Sequence, residues 1–100
     1  MPSAPLVIVV IFRARPRQEE ALGAELRALV EPTVREPGCL NYDLHISNEQ
    51  SDLFFFHETW QSVEHHQAHR DTAHVQRFLA ISPDLVVEPI REIKGRRLDA

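Results

Sequence analysis

The chain has 100 residues, 43% hydrophobic and 26% charged, with a formal net charge of -4. That length suits one domain with a modest core, and the scattered, net-negative charge offers no footprint for nucleic acid. A single cysteine cannot close an internal disulfide, and the longest apolar run, residues 6–12, is too short to span a bilayer and lacks a signal peptide's basic flank. A single cytoplasmic domain over residues 1–100, with its core at about 6–94, is the expectation.

In chain order, "LVIVVIF" (6–12) is continuous, apolar and β-branched, which predicts a strand buried on both faces. From Gln18 the period changes: Leu22, Leu26, Leu29 and Val30 recur at helical spacing, with Glu19 and Glu20 where the helix dipole favours acids. Pro32 disfavours helical geometry at Glu31, so the helix is expected to kink or end there. Pro37 and Gly38 make a turn, after which Leu40, Tyr42, Leu44 and Ile46 alternate with Asn41, Asp43 and His45, as in a half-buried strand. "SNEQSD" is polar, "LFFFHETW" (53–60) is aromatic and strand-like, and the pair predicts a hairpin. Ser62 is placed to cap a helix to about Arg70, and Asp71 or Thr72 to cap another carrying Val75, Phe78 and Leu79. "SPD" breaks it, and the last strand contains Pro89, which cannot donate to a ladder and so places that strand at a sheet edge.

The order β-α-β-β-α(α)-β with right-handed crossovers predicts an α+β fold: a ferredoxin-like split βαβ with an antiparallel sheet. Helices can cover only one face of such a sheet, yet the first strand is apolar on both. The other face calls for a second layer, most simply a second copy of the chain.

"EPGCLNYDLH", "FFFHETW" and "AHRDTAHVQRF", in this order and spacing, resemble the antibiotic biosynthesis monooxygenase domain family, its small quinol-monooxygenase branch in particular. The resemblance runs from Leu6 to about Ile93. It implies a dimeric α+β barrel, two protomers packed sheet to sheet, with a pocket in each between sheet and helices. Members include oxygenases that use neither metal nor flavin, haem-degrading enzymes, isomerases and proteins without known activity. Two branch-specific sites are missing here. Phe56 stands where polyketide-tailoring oxygenases carry asparagine, and His66 where they carry tyrosine. The haem-degrading branch has a tryptophan near His69 and its haem-ligating histidine near Leu79. The expectation is therefore no haem, flavin or metal.

Strand alternation puts Phe54, Phe56, Glu58 and Trp60 on one face. Glu58 among aromatics should have a raised pKa and suit a proton acceptor, unless an arginine such as Arg13 pairs with it. Trp60 is either a core residue or a pocket wall whose indole N–H meets a substrate oxygen. Phe54 and Phe56 are candidate walls, and Tyr42 a candidate hydroxyl donor. His65 and His69 stand one helical turn apart, as two metal ligands would, but a metal wants a third ligand and no acid on that helix is placed to supply it. His69 and His74, which match histidines of the branch, are candidates for base or donor; His65 and His66 read as solvated. Cys39 has no local cationic partner and reads as a small buried hydrophobe. Taken together these residues suit a cofactor-free oxygenase for a quinol or similar electron-rich aromatic and O2. The alternatives are a binding or stress-response protein using the same pocket, or an isomerase of small hydroxy-ketones.

Overall fold

The computed structural model describes residues 4–99; residues 1–3 and 100 of the expected domain lie outside the described residues. The elements are β1 (Leu6–Ala14), α1 (Glu19–Val34), β2 (Cys39–Ile46), β3 (Leu53–Trp60), α2 (Val63–Arg70), α3 (Ala73–Ile81), a 3-10 turn (Ser82–Asp84) and β4 (Val86–Gly95). The sheet is antiparallel throughout, in the order β2-β3-β1-β4, which is the ferredoxin-like arrangement. β4 occupies an edge, and Pro89 falls in the stretch where its register with β1 shifts, between Ile11–Arg91 and Arg13–Val87. A missing N–H costs least there.

One sheet face carries the helices. Ile8 and Phe12 of β1 and Phe54, Phe56 and Trp60 of β3 are buried beneath Leu22, Leu26 and Leu29 of α1 and Phe78 of α3. Burying each such side chain contributes roughly 1.5–3 kcal/mol. Ser62 caps α2 by accepting from the His65 N–H, and Thr72 caps α3 by accepting from the Val75 N–H. α1 does not stop at Glu31 but runs through Pro32 to Val34. Only two helical residues follow the proline, so little ladder is lost, and buried Leu29 and Thr33 hold the last turn to the sheet. Gly38 has φ of +81°, and a Cβ there would strike the His65 ring, so the turn before β2 needs glycine on both counts.

The opposite face has no cover among the described residues. Val7, Val9 and Ile11 are half-buried there, and Ile93 beside Val9 is 55% exposed.

Candidate active site

The C-terminal half of β3 places two polar groups inside the helix-covered face. Glu58 and Trp60 alternate inward with Phe56, and both are buried. The Trp60 indole N–H donates to Glu58 Oε1 at 2.7 Å. Burial pushes the Glu58 carboxyl up to about 7; the charges of Glu92 and Glu36 act in the same direction, and the indole N–H pulls back. Arg13 does not reach it, pairing instead with Asp52 at 2.9 Å. The carboxyl is thus half-ionised near neutrality, which suits a group that must both take and return a proton.

Glu58 borders a cavity of about 100 Å³ that opens to solvent between sheet and helices. Phe56, Tyr42, His66 and His69 line it with Glu58, and Arg70 and Glu92 belong to the same wall. Tyr42 stacks on Phe56 with ring centroids 4.2 Å apart, and burial raises its phenol pKa, so the hydroxyl stays protonated. His66 is not solvated as expected but 5% exposed, its pKa pushed down to about 4 by burial. It sits one turn before His69 on α2, so the face that buries one buries the other.

Three expected site residues take other places. Phe54 is buried at the far end of β3 against Gly23 of α1, away from the cavity. Trp60 is fully buried behind Glu58, and its N–H is spent on that carboxylate. His74 lies beyond His69, outside the cavity lining, with a quarter of its side chain exposed. His65 spends Nδ1 on the Ser62 hydroxyl at 2.7 Å and is no partner for His69.

The partner of His69 is Glu36, from the turn between α1 and β2. Its Oε2 accepts from His69 Nδ1–H at 2.8 Å and from His74 Nε2–H at 2.7 Å. With the proton held on Nδ1, His69 keeps a lone pair on Nε2. Glu58 and His69 both line the cavity, and the bonds they make to other described residues use Oε1 of Glu58 and Nδ1 of His69. Burial lowers the pKa of His69, and Glu36 pulls against that. Cys39, half-buried, has a thiol pushed up to about 11 by burial and is unreactive at neutral pH.

The profile of the antibiotic biosynthesis monooxygenase family matches residues 5–81. The chain belongs to that family. The solved structure of PA3566 from Pseudomonas aeruginosa superposes with a TM-score of 0.93 at 37% identity, covering 98% of each chain. Rv0793 of Mycobacterium tuberculosis is 32% identical over 88% of this chain and 86% of its own. The Synechocystis protein sll1783 is 30% identical over 90% of this chain, which spans 60% of the length of that protein. Family and fold agree with the order of motifs in the sequence. Among the described residues no helix is long and apolar enough to cross a membrane.

Proposed function

We propose that the protein is a cytoplasmic, homodimeric monooxygenase that oxidises a quinol or similar electron-rich aromatic with O2, without metal, haem or flavin. The observation that carries this reading is Glu58: a buried carboxyl, pushed up to about 7 by burial, that lines an aromatic-walled cavity. Substrate hydroxyl protons are weakly acidic, and a base poised near the working pH removes them most effectively. In this reading Glu58 takes the hydroxyl proton while His69 Nε2 accepts a hydrogen bond from the substrate's other hydroxyl. The phenolate gives one electron to O2, and recombination forms a C–O bond at the ring carbon beside the phenolate. Loss of that carbon's proton as the O–O bond breaks with hydroxide then leaves a carbonyl and water. One oxygen atom enters the product, a hydroxyquinone, and the substrate supplies all the electrons. Tyr42, kept protonated, is the donor available to the developing oxyanion.

A panel of quinols assayed with and without O2 tests the reaction. Oxygen-dependent formation of a hydroxylated quinone with one O2 consumed per turnover is expected; tight binding of a quinol without O2 uptake would leave a binding protein instead. The dimer is supported by the uncovered face around Val9, Ile11 and Ile93. Packed on its copy, that face should bury about 2,000 Å² or more, as obligate dimers do. A monomer in light scattering at micromolar concentration would contradict it.

A further inference from the structure

We propose that Glu36, His69 and His74 form a binding site for a divalent transition-metal ion of the zinc class, and that its occupation converts His69 from acceptor to donor in the cavity. The three ligand atoms come from three elements, the turn before β2, the end of α2 and the start of α3, and all lie within 4.8 Å of one another. Two imidazoles and a carboxylate, with a fourth position left for water, are a donor set that zinc takes.

The hydrogen bonding is crowded in a way that suits a cation. One oxygen of Glu36 accepts from both rings. The Nε2 of His74, with a single proton to give, also has Thr33 Oγ1 at 3.1 Å and Thr72 Oγ1 at 3.3 Å. The Thr72 hydroxyl proton already goes to the His69 carbonyl at 2.7 Å, so its oxygen offers His74 a lone pair only. Oxygens of three side chains, Glu36, Thr33 and Thr72, therefore face the single N–H of His74. Tetrahedral ligands with bonds of about 2.0–2.1 Å stand roughly 3.3 Å apart, so the contacts of 2.7 and 2.8 Å need to open by about half an ångström. The side chains of Glu36 and His69 are 11% and 6% exposed and that of His74 24%, which leaves an entry path on the His74 side.

Metal at Nδ1 of His69 requires the lone pair there, so the ring proton passes through solvent to Nε2. The net protonation of the ring is unchanged, but the atom facing the cavity now donates. The site stands without the monooxygenase reading. If that reading holds as well, zinc slows turnover and a chelator restores it, and the two claims fail separately because binding is measured directly.

The test is calorimetric titration of the full chain, stripped with chelator, using zinc chloride. One zinc per chain is expected, with Glu36→Gln and His74→Ala each weakening binding by more than the 10- to 100-fold typical of losing an outer-sphere partner. Nitrogen-15 NMR of the wild-type histidine rings should show the His69 proton moving from Nδ1 to Nε2 on zinc addition. This reading holds even if either variant fails to fold. Absence of saturable binding, retention of wild-type affinity by both variants, or ring shifts confined to other histidines would overturn the proposal.

Discussion

The inward face of β3 has two ends of opposite character. At Phe54 the strand meets Gly23 of α1 and the space is filled with hydrocarbon. At Glu58 and Trp60, four and six residues along the same face, a carboxyl, an indole N–H and two buried histidines meet beside a cavity. The same alternation that builds the core therefore also delivers the site, and what separates them is which helix lies above. α1 brings leucines; α2 brings His66 and His69.

The contrast is broken most strongly at Glu58. Glu58→Gln should lower turnover of an accepted quinol by roughly 10²–10⁴-fold, and His69→Ala should also lower it, with fold and dimer intact. Oxygen-electrode rates that stay at wild-type level for both would place the proton chemistry elsewhere. A smaller effect is expected at Trp60. Trp60→Phe takes away the donor that holds the Glu58 pKa down, so the ascending limb of the pH–rate profile, near pH 7 in the wild type, should move to higher pH. The unsatisfied carboxyl should also cost about 1–3 kcal/mol in a denaturant melt.

The linkage to stability has a definite sign. The folded protein holds the Glu58 proton more tightly than the unfolded chain does, so this stabilisation is complete below about pH 4.5 and is lost as pH rises to about 7. His66 titrates with the opposite sign in an overlapping window, so the difference between wild type and Glu58→Gln isolates the carboxyl. That difference should shift against the wild type as pH climbs from 4.5 to 7 in urea melts, and a flat difference would mean a normal Glu58 pKa. The smallest effect lies at the dry end. A Cβ on Gly23 would make ordinary contact with Phe54, so Gly23→Ala should stabilise by about 0.5–1 kcal/mol, raising Tm by roughly 2–8 °C without slowing turnover.

The fold was legible because its signals are local. A seven-residue apolar run, two alternating stretches, Ser62 and Thr72 as caps and Pro89 as an edge marker each act within a few positions. Pro32 does not end α1, because burial of Leu29 and Thr33 outweighs the local preference. The candidate site was half legible: strand period placed Glu58, but the partner of His69 lies 33 positions away in a turn. A search for an acid on the same helix could not find it. His66 read as solvated because α2 is polar almost throughout; the i,i+3 spacing of His66 and His69 was the available sign of a shared buried face.

The pairing of Trp60 with Glu58 has a consequence for how such a protein diversifies. The acid and the group that tunes it stand two residues apart on one strand, so the pleat fixes their separation. Most of the remaining cavity wall comes from helices and the opposite strands. In the proposed reaction, substitutions there reshape what enters while the Glu58–Trp60 pair keeps its setting, so substrate range can drift under mutation without re-solving the acid–base problem each time.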